Sequence, residues 1–331
     1  MLLNFTKSLY VNVKIANEET DYKQLKDRIL QDDNIAAQLY FLTKQSGKEK
    51  ELPEEFHAFL KEKYEQAFMQ NFLIKTETLS ILKKLDCLQI EAIPLKGTFF
   101  AEKYFGDLGA RPTSDIDLLI HSEDLEKAVA AIKELGFTKE EKRIPGHFHH
   151  SFSKKLPHSQ IPLTVELHWN LLIEQTATFQ LAEFWRDAQS LTSFQSIKQL
   201  SVYHTFYFIC LHGWRHNLDS LKYFIDIIQL IHQQLEDLDY ERLLADAADH
   251  QTKKRLVRTL SIVYQQFPHL SDVKKFPYFK KNRTWQYRPK PNLKQYIDFI
   301  DYQFLSYENA RHQLTELKHW LTTVSPLKNK Q

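Results

Sequence analysis

Glycine is scarce in this chain, with 7 among 331 residues, and cysteine and methionine are scarcer still at 2 each. Cys87 and Cys210 by themselves cannot build a disulfide framework or a thiolate metal site. No apolar run reaches the length of a membrane span. The start, Met1-Leu2-Leu3-Asn4-Phe5-Thr6-Lys7, has neither the basic flank nor the long apolar segment of a secretion signal, so a cytoplasmic protein is expected. Gly-x-x-x-x-Gly-Lys-Ser/Thr and Gly-x-Gly-x-x-Gly are both missing, which sets aside P-loop and dinucleotide-binding readings. So few glycines imply few tight turns and a helix-rich fold, and they make Gly97 stand out.

Acidic residues are missing from one place. Lys274 to Lys294 holds eight basic residues and no Asp or Glu, although the net charge is only +2. Removing those eight from the 44 basic residues leaves 36 against 42 acidic ones, so a basic segment sits on a mildly acidic chain. It interleaves Phe276, Tyr278, Phe279, Trp285 and Tyr287 with its charges, as a stacking surface for nucleic acid would, and as a packed connector would. Pro277, Pro289 and Pro291 make it mostly loop. Nucleic-acid binding is open here but not favoured, because the segment is short and the rest of the chain is net acidic.

The chemistry concentrates around Pro94-Leu95-Lys96-Gly97-Thr98 and Arg111-Pro112-Thr113-Ser114-Asp115-Ile116-Asp117-Leu118-Leu119-Ile120. Side chains alternate faces along a strand, so Asp115 and Asp117 point one way while Ile116 and Leu118 point the other. Two carboxylates projecting together repel unless a cation lies between them, and Mg²⁺ or Mn²⁺ suits such an oxygen-rich site. Leu163-Thr164-Val165-Glu166-Leu167-His168-Trp169 alternates in the same way and puts Glu166 and His168 on one face. Asp115, Asp117 and Glu166 are therefore the candidate metal and catalytic carboxylates, enough ligand charge for two divalent ions.

Gly97 and Thr98 open a predicted helix, whose free N–H groups favour an anionic phosphate. Lys96 reads either as an exposed strand-end lysine or as a cation that reaches a phosphate or an acidic partner. Arg111 reads either as a solvated loop arginine or as a phosphate-facing cation. His168 is a candidate to orient Glu166 or to touch substrate. His147, His149, His150 and His158 cluster near a hairpin but lack zinc-ligand spacing. Further on, His212 and His216 lie one helical turn apart, and Lys222 and Asp226 share a face. His212 and Lys222 are candidate nucleotide-lining residues, with a polar seam between packed helices as the alternative.

Lys-Gly after a strand, an Arg shortly before Asp-Ile-Asp-Leu-Leu-Ile, and a later Val-Glu-Leu-His-Trp resemble the nucleotidyltransferase superfamily that includes DNA polymerase β. Within it, the closest resemblance is to the group called uncharacterised nucleotidyltransferase. The likeness covers roughly residues 90–170 well. Lys96-Gly97-Thr98 stands where the superfamily usually has Gly-Gly or Gly-Ser, and Gly97 lies farther from Asp115 than in compact members. The resemblance implies an αβ core in which Asp115, Asp117 and Glu166 hold Mg²⁺, with Lys96, Gly97, Thr98, Arg111 and Ser114 as the nucleotide-binding set. It also implies transfer of a nucleoside monophosphate from an NTP to an acceptor hydroxyl, the acceptor being a small molecule, a protein or an RNA. A non-catalytic binding or regulatory module of toxin–antitoxin type is the alternative on the same fold.

The expected fold class is α+β, a small mixed-sheet core flanked by helical portions. The predicted division is 1–86 helical, 87–175 the αβ core, and 176–331 helical with the basic loop 274–294. Apolar spacings of three and four predict helices over 22–43, 54–85, 98–105, 122–135, 179–188, 198–211, 218–235, 239–250, 253–267 and 295–324. Ser122 is the expected N-cap and Leu135-Gly136 the expected stop of the helix after the Asp-x-Asp strand. Strands are expected over 89–95, 114–120, 137–143, 147–153 and 161–169.

Overall fold

A computed structural model describes residues 1–11, 21–32, 35–139, 148–156, 162–173, 175–234, 236 and 238–324. His147 and His158 lie outside these residues, as do most of the strand expected over 137–143 and the tail from 325. The chain is α+β. Helices α1 (Leu2–Ser8), α2 (Tyr22–Asp32), α3 (Ala36–Gln45) and α4 (Glu54–Cys87) precede a five-stranded mixed sheet.

The sheet is built from β1 (Ala92–Pro94), β2 (Asp115–Ile120), β3 (Thr138–Lys139), β4 (His149–Lys154) and β5 (Leu163–His168). Their order is β1-β2-β5-β4-β3, with β2 and β5 parallel and the other pairs antiparallel. Between β1 and β2 lies the short α5 (Thr98–Phe100), which runs on as a π turn through Phe105, and after β2 comes α6 (Leu125–Glu134). The rest is α7 (Leu181–Arg186), a small ribbon of β6 (Gln189–Ser190) and β7 (Lys198–Gln199), α8 (Val202–Arg215) and α9 (Leu221–Gln233). Then follow α10 (Tyr240–Asp249), α11 (Lys253–Gln266), α12 (Leu270–Val273), α13 (Leu293–Ile300) and α14 (Ala310–Val324).

The long α4 links two apolar cores. Its first turns bury Phe56, Phe59 and Leu60 in a cluster shared by α1–α3 and α8–α11. Its later turns bury Ile74, Ile81, Leu82 and Leu85 against α6 and one face of the sheet, where Ile116, Leu118, Ile120, Val165 and Leu167 lie. Helices from before the sheet and after it thus share one core. The opposite sheet face, carrying Asp117, Glu166 and His168, is left to meet α8 and α9.

Midway along α4, Asn71 fixes the loop that feeds β2. Its amide donates to the carbonyls of Leu108 (2.6 Å) and Arg111 (2.8 Å), and its oxygen accepts from Thr113 N–H at 3.0 Å. A buried amide so fully engaged sets where the Asp-x-Asp strand begins.

Several local expectations give way. The helix over 22–43 gives way to two, α2 ending at Asp32 and α3 starting at Ala36. Helix α8 starts at Val202 because Ser201 caps it, accepting from His204 N–H, and Lys198–Gln199 belong to β7 instead. Ser122 does not cap α6; a 3-10 turn comes first and the Ser122 hydroxyl turns to Glu123. Gly136, at φ +86°, does stop α6. The helix over 295–324 is interrupted between α13 and α14, where Trp214 donates to Ser306 (3.1 Å) and Asn309 caps α14 through His312 N–H (2.9 Å). In the basic segment Phe276 and Trp285 are buried and Trp285 donates to the Asn217 carbonyl at 2.9 Å, so these rings pack inward.

Candidate active site

Strand β5 lies parallel to β2 with Glu166 directly opposite Asp117. Period-two alternation then sends Asp115, Asp117, Glu166 and His168 to the same side. Strand β1 ends at Pro94, Leu95 N–H still donates to the Asp117 carbonyl (3.1 Å), and the chain then turns at Gly97, φ +77°. That turn swings Lys96 over the acidic pair. Its Nζ lies 3.2 Å from Asp115 Oδ2 and 3.0 Å from Asp117 Oδ2. On the other side His168 Nε2 is 3.1 Å from both Asp117 Oδ1 and Glu166 Oε2. His149, from β4, brings its Nε2 to 3.7 Å from Glu166 Oε1.

Burial alone would raise the carboxyl of Asp117, but Lys96 and His168 outweigh it and hold the group well below the usual carboxylate range. Glu166 is lowered as well: burial and Asp117 act to raise it, and the hydrogen bond from His168 prevails. His168 moves the other way, its burial offset by the two carboxylates, so its pKa is raised. Two acceptors converging on Nε2 also require that nitrogen to carry its proton. Burial would lower Lys96, yet Asp117 and Asp115 hold it raised. The sheet side sets Asp117 and Glu166, both held below the ordinary carboxylate range, between the Lys96 ammonium and the Nε2–H of His168.

Facing it across a cavity of about 310 Å³ are His212 and Arg215 of α8, His216 at the C-cap of that helix, and Lys222 and Tyr223 of α9. His212, Arg215 and His216 follow the i, i+3, i+4 spacing of one helix face. Arg215 stacks over the Phe148 ring at 4.7 Å and makes no ion pair among the described residues. Lys222 makes none either. Burial, then Arg111, lowers its pKa to about 7 against the partial opposition of Asp226. Burial also keeps His212 well below its ordinary value and takes His216 to about 4, so both are neutral near pH 7. Among the described residues, this wall offers two cations without anionic partners.

Of the residues singled out in the sequence, Lys96, Ser114, Asp115, Asp117, Glu166, His168, His212 and Lys222 line the cavity. Gly97, Thr98 and Arg111 do not. Gly97 and Thr98 are buried behind Lys96, where a Cβ on Gly97 would sit 3.4 Å from Thr113 Cγ2. Arg111 is neither solvated nor turned toward the cavity. It is 1% exposed and clamps Asp226 of α9 through two hydrogen bonds of 2.8 Å. The guanidinium spends its Nε–Nη2 edge on Asp226, and its effect on the site is to fix α9, and with it Lys222. Lys96 reaches the acidic partners Asp115 and Asp117. Sequence reasoning missed Arg215 and Tyr223 and gave His149 no role. The spacing of Arg215 from His212 was the available signal for the first.

The donor set suits a hard divalent cation. Asp115, Asp117 and Glu166 present carboxylate oxygens toward one space. His149, Glu166 and His168 form a second, nitrogen-containing group whose ligand atoms all lie within 4.8 Å of one another. No helix among the described residues is long and apolar enough to cross a membrane.

No curated protein and no solved structure matches the chain. A family model does, over residues 24–268, from within α2 to just past α11, a stretch that holds every residue lining the cavity. The paired strands, the carboxylate row and this match agree, and the chain belongs to the family described as uncharacterised nucleotidyltransferase.

Proposed function

We propose that the protein is a Mg²⁺- or Mn²⁺-dependent nucleotidyltransferase that moves a nucleoside monophosphate from an NTP to an acceptor hydroxyl, with release of pyrophosphate. The observation that carries this reading is the register of Asp117 against Glu166, which gathers three carboxylates on one wall of a cavity whose other wall offers Arg215 and Lys222. Asp115, Asp117 and Glu166 would hold the metal. When bound, it neutralises the triphosphate and lowers the barrier to displacement. Arg215 and Lys222 suit the phosphates, a planar fork and a point charge respectively.

Glu166, ionised at neutral pH, receives the acceptor's proton as its oxygen bonds to the α-phosphorus. The bond from that phosphorus to the pyrophosphate oxygen breaks at the same centre, and pyrophosphate leaves. His168, hydrogen-bonded to Asp117 and Glu166 together, holds both carboxylates in place through the exchange. Most of the protein's contribution is positioning and charge neutralisation.

Thermal stability measured with each of the four NTPs, with and without Mg²⁺, tests the reading. Stabilisation is expected only when metal and nucleotide are both present, and it should disappear in Asp117→Asn. Equal stabilisation by NTP without metal would point instead to a non-catalytic nucleotide-binding module.

A further inference from the structure

A second cavity, of about 210 Å³, shares a wall with the first. Phe148, Leu171, Leu172 and Arg215 line both. Beyond that wall stand the rings of Trp214, Tyr302 and Tyr307, together with two buried groups of opposite charge, Arg255 and Glu316.

Arg255 is 0% exposed. Its guanidinium carbon lies 4.7 Å from the Trp214 ring centre and 4.4 Å from that of Tyr307. One nitrogen donates to the Thr176 carbonyl, while Nε and Nη1 have no hydrogen-bond partner. Glu316 accepts from Gln303 at 2.6 Å through one oxygen, its Oε2 receives no hydrogen bond of good geometry, and the Tyr307 hydroxyl is the neighbour within its reach, so the carboxylate keeps acceptor capacity toward the cavity. The two charges make no ion pair with each other or with any described residue. They belong to one cluster even so, since burial, with Glu316 beside it, pushes the Tyr307 phenol well up. Arg111 is as deeply buried, but Asp226 fills its fork. A buried guanidinium with open donors and a buried carboxylate with an open acceptor are each costly. One ligand carrying both an anion and a cation would relieve both costs.

We infer that the second cavity binds the acceptor, an aromatic amino acid carrying a side-chain hydroxyl, with its carboxylate on Arg255, its ammonium on Glu316 and its ring among the aromatic walls. The inference rests on the transfer reading above and extends it to the acceptor. The hydroxyl passes the shared wall toward Glu166. Its oxygen then bonds to the α-phosphorus, pyrophosphate departs and the proton goes to Glu166. Tyr302, Gln303, Tyr307 and Glu316 lie beyond residue 268, outside the stretch that the family model matches. The pocket is thus completed by a part of the chain that the family description does not cover.

Calorimetric titration of the full-length protein with L-tyrosine, tyramine and para-hydroxyphenylpropionate tests the assignment, with each of the four Mg·NTPs, Mg·ATP included, titrated separately. Tyrosine should bind more tightly than either analogue. Arg255→Met should weaken tyrosine and the acid by roughly tenfold to a hundredfold and leave tyramine unchanged. Glu316→Gln should weaken tyrosine and tyramine and leave the acid unchanged. Should Arg255→Met fail to fold, the Glu316→Gln series decides the matter alone. Phenylalanine should bind yet release no pyrophosphate. Mg·ATP binding without any preference for tyrosine over its two analogues overturns the inference and leaves the transfer reading standing. Tyrosine binding that depends on both residues, in a protein that binds none of the four Mg·NTPs, supports the pocket and removes the transfer reading. Competition between tyrosine and Mg·ATP for one site would also overturn the inference.

Discussion

Across the main cavity, the sheet wall and the helical wall carry charge in opposite ways. On the sheet, Asp115, Asp117 and Glu166 are already answered by Lys96 and His168. On the helices, Arg215 and Lys222 have no anion among the described residues, and Lys222 has been driven down to about 7 by burial and by Arg111. A satisfied wall keeps its geometry before any ligand arrives, while an unsatisfied one gains most when an anion enters. Under the proposed function, the sheet supplies order and the helices ligand affinity.

The largest effect should come from breaking the sheet wall. We predict that Asp117→Asn lowers transfer by roughly a hundredfold to a thousandfold. It should also lower stability, because Lys96 and His168 each lose a buried partner. The repulsion expected between two bare carboxylates does not arise, since the cation between them is Lys96. Pyrophosphate release and urea unfolding of the same variant measure both effects, and wild-type transfer would remove the central role of this residue.

Next comes the clamp beneath the helical wall. Arg111→Met leaves Asp226 buried and unpaired, and should cost about 3–5 kcal/mol in urea unfolding. The double variant R111M/D226L should recover part of that loss. A loss confined to nucleotide affinity, with stability intact, would mean that Arg111 acts on phosphate after all.

Lys222→Met sharpens the comparison most directly. Mg·NTP affinity should drop roughly tenfold to a hundredfold without loss of stability. The folded pKa of about 7 lies below the ordinary 10.5, so between those values the folded protein holds fewer protons than the unfolded chain. The cost of burying this charge is fully present below pH 7 and fades as pH rises toward 10.5. Wild-type stability should therefore gain over that window relative to Lys222→Met, while its Mg·NTP affinity falls as the ammonium is lost. Parallel pH profiles in the two proteins would contradict the assignment.

A smaller change is expected at the turn behind Lys96. Gly97 sits at φ +77°, and a Cβ there would lie 3.4 Å from Thr113 Cγ2. Gly97→Ala should therefore cost about 1–3 kcal/mol and weaken Mg·NTP binding only through Lys96. Nucleotide affinity falling far more than stability would restore Gly97 to direct phosphate contact. The smallest effect belongs to the basic segment. Replacing Lys280, Lys281 and Arg283 together should leave transfer unchanged and reveal no salt-steep RNA binding, since Phe276 and Trp285 are packed inward. A log–log salt slope that falls by about 0.7–0.9 for each charge removed would identify RNA as a partner.

The sequence by itself determined which residues share a face. Asp115 with Asp117, Glu166 with His168, and His212 with His216 follow from local periods of two and 3.6 residues, which any register preserves. Composition and apolar spacing likewise fixed a helix-rich α+β chain. Tertiary structure alone decided which faces meet. Setting Glu166 opposite Asp117 required the parallel pairing of β2 and β5, and turning Arg111 away from the cavity required Asp226, 115 positions away in the chain. Leaving Arg215, Lys222 and Arg255 without anions among the described residues is also a property of packing, because whether a buried charge finds a partner depends on what the rest of the fold brings beside it. No period in the sequence records that.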